Sequence, residues 1–215
     1  MKKRLLLSLL YLTFALTTHA SEVKLDFEKI PDDKAAVLRG AELVINGCIL
    51  CHSLKYIKYN DLLALGTPEA TVDTWRAGNS INARIMAQMP PESAAAAFGG
   101  IVPPDLSLIA IAREGGMHYL YTYMTAYKID EKGELVNLVY PGTRMPDILS
   151  IASVTDEKQR DEIKTKAKEL TAFLNWAADP RAGERKQLGI YVLIYLSILT
   201  VLLYFWKIEI WRKLG

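Results

Sequence analysis

The feature that most constrains this chain is a short cysteine motif, Cys48-Ile49-Leu50-Cys51-His52. Its two cysteines are the only ones among 215 residues, and a histidine follows the second directly. The pattern Cys-X-X-Cys-His is typical of covalent haem c attachment. Each thiol adds across one vinyl group of the same porphyrin, and the adjacent imidazole then meets the iron from one face. The motif therefore predicts one haem c, with His52 as an iron ligand.

Three other interpretations of the motif compete with haem attachment. A thioredoxin-like dithiol shares Cys-X-X-Cys, but no βαβ pattern surrounds it here. A structural disulfide suits an exported protein but leaves His52 unexplained. A zinc site needs a fourth ligand and preferably a second Cys or His cluster, which the sequence does not offer. Haem attachment accounts for both cysteines and the histidine together.

The N-terminal segment, residues 1–20, predicts a secretory signal peptide. It has a basic start, MKKR, then a short apolar run, and it ends in the small residues of Thr-His-Ala. Cleavage is expected after Ala20, and the alternative is an uncleaved anchor helix. A signal peptide places the body of the chain outside the cytoplasm.

The C-terminal segment, residues 188–206, predicts a membrane span. It contains no charged residue, and 19 residues rising about 1.5 Å each cover about 28 Å, close to the thickness of a hydrocarbon core. The alternative is a buried core helix, although such a helix seldom stays apolar on every face. The chain is thus divided into a signal peptide (1–20), a periplasmic domain (21–187), a transmembrane helix (188–206) and a short cytoplasmic tail (207–215).

The charge of the exported body excludes one large class of function. The whole sequence has 26 Lys and Arg and 24 Asp and Glu. Residues 1–20 and 188–215 hold six of the bases and one of the acids, so residues 21–187 carry a net charge of −3. A nucleic-acid-binding domain would be basic, so none is expected, and a basic protein partner is mildly favoured.

A second iron ligand is expected, because an electron-transfer haem usually has two. The candidates in the body are His118, Met86, Met89, Met117, Met124 and Met145. Met145 is favoured because it lies in a turn-rich loop, YPGTRMP at 140–146, where Pro146 biases it towards an extended backbone. Met89 and His118 are next, and the alternative for Met145 is a side chain that merely fills a gap.

Helical patterns predominate, so the fold is expected to be mainly α, with long ordered loops around one haem. Helices are predicted from Lys34 to about Gly47 with Asp32 or Asp33 as cap, over residues 116–127, and from about Thr155 to Ala177. In the last of these, Ile163, Ala167, Leu170, Leu174 and Ala177 form one apolar stripe.

Three further segments carry local predictions. Thr67-Pro68-Glu69 is a helix start with Thr67 as the cap. Residues 87–104, rich in Pro and Gly, are expected to be a long ordered loop that walls a cofactor pocket. Asp105 is expected to start a short helix that continues to Arg113 and is broken by two glycines.

Four motifs together resemble the cytochrome c1 family, the haem-bearing subunits of ubiquinol–cytochrome c reductase. They are CILCHSLKYIKYNDL at 48–62, VPPDLSLIAIAREGG at 102–116, YPGTRMP at 140–146 and FLNWAADPRAGERKQLG at 173–189. The similarity extends over nearly the whole exported body and the anchor. The first motif is shared by many c-type cytochromes, whereas the second and fourth are more specific.

The resemblance implies a set of cofactor-binding residues: Cys48, Cys51, His52, Met145, Arg113, Tyr119 and Pro104. The two cysteines would form the thioethers, and His52 and Met145 would bind the iron. Arg113 and Tyr119 fall where the family pairs a cation and a phenol with the haem propionates, and Pro104 would pack near the haem. Without the family, a helix-end arginine interacting with the helix dipole explains Arg113 equally well.

The implied function is electron relay at a bacterial inner membrane, with no catalytic residue in the chain itself. One electron would pass from the Rieske iron–sulfur subunit through the haem to cytochrome c, with cytochrome b as a further partner in a dimeric complex. The enzyme would be the whole reductase. The alternatives are an anchored cytochrome that supplies a terminal oxidase or other periplasmic acceptor, and a haemless thiol–disulfide enzyme. The chain is shorter than many relatives, particularly between Gly66 and Pro103, so the resemblance does not imply a partner-docking surface built from family insertions. Glu131 and Glu134 are candidates for contact with cytochrome c.

Overall fold

The computed structural model of the protein describes residues 24–214. Its α-helices in chain order are α1 Lys34–Asn46, α2 Tyr59–Leu65, α3 Glu69–Arg76, α4 Pro91–Ala97, α5 Ile109–Ala112, α6 Gly116–Thr125, α7 Glu157–Ala178 and α8 Ala182–Leu214. Short 3-10 helices occur at Cys48–Leu50 and Ile151–Ser153. The strands are β1 Leu54–Lys58, β2 Arg84–Ile85, β3 Tyr127–Ile129 and β4 Leu135–Asn137, paired antiparallel as β1–β2 and β3–β4. The predicted mainly α fold is confirmed.

The core of the domain is the contact between α1 and α7, the most extensive packing of two elements in residues 24–214. The carboxylate of Asp33 accepts the Ala36 N–H at 2.9 Å and caps α1, as predicted. At the crossing, a Cβ added to Gly40 would lie 2.0 Å from the Glu169 carbonyl oxygen. Glycine therefore lets the two backbones approach, about two helical turns before the cysteine motif begins.

Helix α7 confirms the apolar stripe predicted for it. Its carboxylate cap is Asp156, which accepts the Gln159 N–H at 3.0 Å. Four of the five stripe residues are buried: Ala167, Leu170, Leu174 and Ala177. Ile163 is half-buried, since it lies in the part of the helix that extends beyond the core. The helix ends at Ala178, and Asp179 caps it.

Helix α8 contains the predicted membrane span. It runs for 33 residues with a mean hydropathy of 2.3 in its most apolar window, and none of that window is buried in the domain. By length and composition, it is able to cross a membrane. The residues directly before the predicted span belong to the same helix, which begins at Ala182. The predicted signal peptide lies outside the described residues.

The prediction that Thr67 caps a helix is wrong. Helix α3 starts at Glu69, and the capping position is taken by Pro68. The Thr67 N–H bonds the Leu62 carbonyl at 3.0 Å, so Thr67 belongs to the turn that ends α2. Thr67 lies one residue before the capping position of α3, and its hydroxyl is buried without a hydrogen-bond partner.

The segment 87–104 is not a continuous loop, because α4 lies inside it. Pro91 occupies the first helical position, where its missing N–H costs nothing, and four alanines follow. The high proline content, which suggested a loop, is compatible with a helix when the proline comes first.

The helix predicted to start at Asp105 is also wrong in its bounds, because α5 is confined to Ile109–Ala112. The carboxylate of Asp105 instead accepts the Ser107 N–H at 3.0 Å and the Lys55 N–H at 2.9 Å. It therefore ties the loop before α5 to strand β1. The break after Arg113 is confirmed, since Gly115 and Gly116 have φ of 84° and 55°, a conformation that favours glycine.

Candidate haem site

The cysteine motif folds into one tight turn directly after α1. The N–H groups of Cys51 and His52 both bond the Cys48 carbonyl, at 3.1 and 2.9 Å. Cys48 is buried and Cys51 is half-buried, and both thiols are free. Both cysteines and the histidine thus lie on a single turn of chain, and no disulfide consumes the sulfurs.

Burial governs the acidity of the first cysteine. It raises the pKa of the Cys48 thiol to about 11, and the neighbouring Cys51 adds to the effect. The Cys48 thiol therefore stays protonated over a wider alkaline range than an exposed cysteine does.

The imidazole of His52 is fixed by a residue 52 positions away. Its Nδ1 lies 2.7 Å from the Pro104 carbonyl oxygen. Because a carbonyl oxygen only accepts, Nδ1 must carry the proton, and the lone pair is left on Nε2. Burial lowers the pKa of His52, an effect that the bond to Pro104 partly opposes. His52 is thus presented as a neutral imidazole with one nitrogen ready to bind a metal.

Two neighbouring segments brace the motif. The N–H groups of Gln88 and Met89 donate to the carbonyls of Ile49 and Leu50, at 2.8 and 2.9 Å. Ser53 binds the segment that contains Ala87 and the segment that contains Leu106. Its hydroxyl accepts the Ala87 N–H, and its carbonyl accepts the Leu106 N–H, each at 2.8 Å. Sequence reasoning missed Ser53, since nothing marks a serine after the histidine as a bridge.

The structure brings Arg113 and Tyr119 together, and their assignment to the haem propionates stays a prediction. The guanidinium carbon of Arg113 lies 6.0 Å from the centroid of the Tyr119 ring, across the two-glycine turn. Burial raises the pKa of Tyr119, and the Arg113 charge opposes that rise. Arg113 is also the residue that directly follows α5, the position that the helix-end interpretation requires. The pair offers a cation and a phenolic hydroxyl to an anion.

Met145 is half-buried in the loop between β4 and the second 3-10 helix. Its carbonyl accepts the Tyr127 hydroxyl at 2.9 Å. The Tyr127 ring contacts the Tyr123 ring, with centroids 5.9 Å apart, and the Tyr123 ring contacts the Tyr119 ring, with centroids 6.1 Å apart. A row of three tyrosine rings therefore connects the Met145 carbonyl to Arg113 and Tyr119. In the described part of the chain, no hydrogen bond joins Met145 to the cysteine motif.

The competing ligand candidates lie in other surroundings. Met124 is 6% exposed and belongs to the core, as predicted. His118 packs against Phe27, with ring centroids 4.9 Å apart, and its Nδ1 is buried without a partner. The main-chain N–H of Met89 donates to the Leu50 carbonyl within the cysteine motif. The assignment of Met145 as second ligand stays a prediction.

The donor set fits a haem c. It comprises two free thiols, a neutral imidazole with an open Nε2, and a thioether in a separate loop. Large apolar side chains flank these donors along the chain and are exposed: Leu50, Val102, Leu108, Leu138, Tyr140 and Ile148. Such side chains suit contact with an apolar macrocycle. Within residues 24–214, no group of three or more His, Cys, Asp or Glu is placed to hold a metal ion.

A mainly helical domain that presents two thiols and a neutral imidazole on one turn is typical of the c-type cytochromes. The model of the cytochrome c1 family matches residues 27–88 and 74–214. The chain therefore belongs to the cytochrome c1 family, whose members are haem-containing electron-transfer subunits.

Three relatives illustrate the range of the similarity. Cytochrome c1 of Rhodospirillum rubrum is 32% identical, with 84% of this chain and 82% of the relative covered. Cytochrome c1 of Allochromatium vinosum is 28% identical, with 84% and 85% covered. A protein named ammonia monooxygenase gamma subunit, from Nitrosomonas europaea, is 30% identical, with 100% and 99% covered.

Proposed function

We propose that the chain holds one haem c through thioether bonds to Cys48 and Cys51, with His52 and Met145 as iron ligands. The observation that carries this proposal is the bond from His52 Nδ1 to the Pro104 carbonyl, beside two free thiols. That bond fixes which nitrogen faces a metal, and the thiols supply the covalent attachment. Bound there, haem c would supply one-electron redox chemistry.

The surrounding residues would set the properties of the site. Methionine opposite histidine raises the reduction potential of a haem iron. Arg113 and Tyr119 would bind the haem propionates through charge-assisted hydrogen bonds, which are stronger than neutral ones. Pro104 would orient His52 by accepting its Nδ1 proton. The chain would thus tune and position a redox centre and would make or break no substrate bond.

The proposed role in the cell is a relay in a cytochrome bc1 complex. The domain, residues 21–187, would face the periplasm, residues 188–206 would cross the bacterial inner membrane once, and residues 207–215 would stay in the cytoplasm. The chain would take one electron from the Rieske iron–sulfur subunit and pass it to cytochrome c. Cytochrome b would carry the quinol chemistry, in a complex that is a dimer.

A second candidate is the same relay inside a different membrane assembly. The similarity to the ammonia monooxygenase gamma subunit, over the full length of this chain, favours it. An anchored cytochrome that supplies a terminal oxidase belongs to the same alternative. Both candidates share the haem site and differ in the partner that reduces or oxidises it.

Purification of the native complex in mild detergent separates these candidates. A stable assembly with a b-haem subunit and an iron–sulfur protein, in which a quinol reduces the c-type haem, supports the bc1 role. Recovery of the chain with an oxidase or an ammonia-oxidising assembly, unresponsive to quinol, supports the second candidate. A reduced-minus-oxidised spectrum without a c-type α-band contradicts both.

A further inference from the structure

Both main-chain polar atoms of Met145 are held by side-chain hydroxyls. The Met145 N–H donates to Thr143 Oγ1 at 3.2 Å, and the Met145 carbonyl accepts the Tyr127 hydroxyl at 2.9 Å. Thr143 Oγ1 lies in turn 2.5 Å from the Tyr123 hydroxyl. Two tyrosines therefore fix the backbone of Met145: Tyr127 bonds it directly, and Tyr123 acts through the Thr143 hydroxyl.

Those two tyrosines form a rigid support. Tyr123 lies on α6, and Tyr127, four residues later, begins β3. Their rings meet edge to face with centroids 5.9 Å apart, and their hydroxyls are 3.3 Å apart. Tyr127 is only 4% exposed. Burial raises the pKa of Tyr127 well above its ordinary value, which keeps its hydroxyl a donor.

A buried amide fixes the start of the loop to the same helix. The side chain of Asn137 donates to the Tyr123 carbonyl at 2.7 Å. Its oxygen accepts the N–H groups of Val139 and Tyr140, at 2.9 and 3.0 Å. Asn137 is 1% exposed, so these bonds are shielded from water. The loop that carries Met145 is thus anchored at its beginning and at Met145 itself.

We infer that Tyr123 and Tyr127 are positioning residues that hold the Met145 thioether at the haem iron. The inference rests on the proposed function, in which Met145 is the second ligand. A methionine side chain has three rotatable bonds, so a mobile backbone would add to the states in which its sulfur is displaced. Fixing the backbone beforehand removes those states, which favours ligation by preorganisation. Neither tyrosine is required to touch the iron.

The inference predicts that Tyr127→Phe weakens ligation by Met145 while the ring stays in place. The measurement is an optical titration of the oxidised, haem-loaded chain in detergent with imidazole, a neutral ligand that competes with the thioether. Loss of one buried hydrogen bond is expected to tighten imidazole binding about fivefold. The midpoint potential should fall in the same variant. Thr143→Val, which removes the other anchor, should act in the same direction and serves if Tyr127→Phe does not accumulate.

The matched control is Tyr121→Phe. Tyr121 lies on α6, as Tyr123 does, and is 1% exposed, but its ring faces the ammonium of Lys168, 5.8 Å from the centroid, and not the Met145 loop. Imidazole affinity and potential should stay as in the parent. If Tyr127→Phe and Thr143→Val behave like this control, the positioning role is wrong.

Met145→Leu distinguishes failure of the inference from failure of the proposed ligand. If Met145 is the ligand, its loss opens the iron to imidazole, and adding Tyr127→Phe to it changes nothing further. An effect of Met145→Leu without any effect of the tyrosine variants contradicts only the positioning role. A Met145→Leu variant that binds imidazole no better than the parent contradicts the ligand assignment, and the inference with it.

Discussion

At the scale of single residues, the site depends on one carbonyl oxygen. The Pro104 oxygen accepts from His52 Nδ1, so the imidazole presents Nε2, while burial holds the pKa of His52 below its ordinary value. No rotation of the ring keeps both that bond and a metal bond at Nδ1. The proline carbonyl therefore decides the orientation of the imidazole before any cofactor is considered.

The first residue-scale prediction concerns Met145. Met145→Leu should leave the haem covalently attached but lower its midpoint potential sharply, because a thioether ligand stabilises the reduced iron. Redox titration of the visible α-band measures the shift. Met124→Leu, a similar change at a buried core position, is the control and should leave the potential near that of the parent. An unchanged potential in Met145→Leu would show that another residue binds the iron.

The second residue-scale prediction concerns alkaline stability. Burial raises the pKa of Tyr121 from 10.0 to about 12. Between these pH values the unfolded chain has lost the Tyr121 proton and the folded chain still holds it. The contribution of Tyr121 to the free energy of unfolding is therefore fully present below pH 10 and is lost as the pH rises towards 12. Tyr121→Phe should make this loss shallower, by up to about tenfold in the unfolding equilibrium per pH unit.

Urea unfolding of parent and variant at several pH values between 8 and 12 tests this expectation. The difference at pH 8, where the phenol is protonated in both states, serves as the reference for the others. Parallel stability curves from pH 8 to pH 12 would mean that Tyr121 does not contribute to the alkaline loss.

At the scale of elements, the crossing of α1 and α7 positions the motif. Gly40→Ala would place a methyl group 2.0 Å from the Glu169 carbonyl and 2.9 Å from Phe173 Cβ, so one backbone has to shift. We expect a destabilisation of about 1–3 kcal/mol or more, as for overpacked cores. Gly183→Ala, on a helix with nothing within 4 Å of the new Cβ, is the control and should cost nothing. Equal thermal stabilities of the two variants would contradict the close approach of α1 and α7.

Elements with a local signal could be predicted from the sequence. The cap at Asp33 and the apolar stripe of α7 each depend on residues only a few positions apart in the sequence, and both are present in the structure. Helix α4 was missed because prolines suggested a loop, although the first helical position tolerates them. The prediction for Thr67 failed because the capping position falls one residue later, at Pro68, and Thr67 belongs to the preceding turn.

The candidate site divides in the same way. The cysteine motif is local, so spacing alone predicts its chemistry. The partner of His52 lies 52 residues away. The Tyr127 hydroxyl binds Met145 across 18 residues, and the Tyr123 hydroxyl binds Thr143 across 20. Contacts of that kind depend on how α6, β3 and the loops pack, and no periodicity in the sequence records them.

At the scale of the whole molecule, the helical span and the domain are separate. None of the apolar window of α8 is buried against the domain. A chain that ends at Gln187 should therefore keep its haem spectrum and midpoint potential, and it should leave the membrane fraction for the soluble one. Loss of the spectrum on truncation would mean that α8 contributes to the domain's folding.

The most direct test of the whole account is the mass of the acid-denatured polypeptide. We expect a coloured chain whose mass equals that of the polypeptide plus one haem, and a Cys48→Ala, Cys51→Ala double variant that loses the pigment under the same extraction. A colourless parent chain with the mass of the bare polypeptide would contradict covalent attachment, and with it the proposed site.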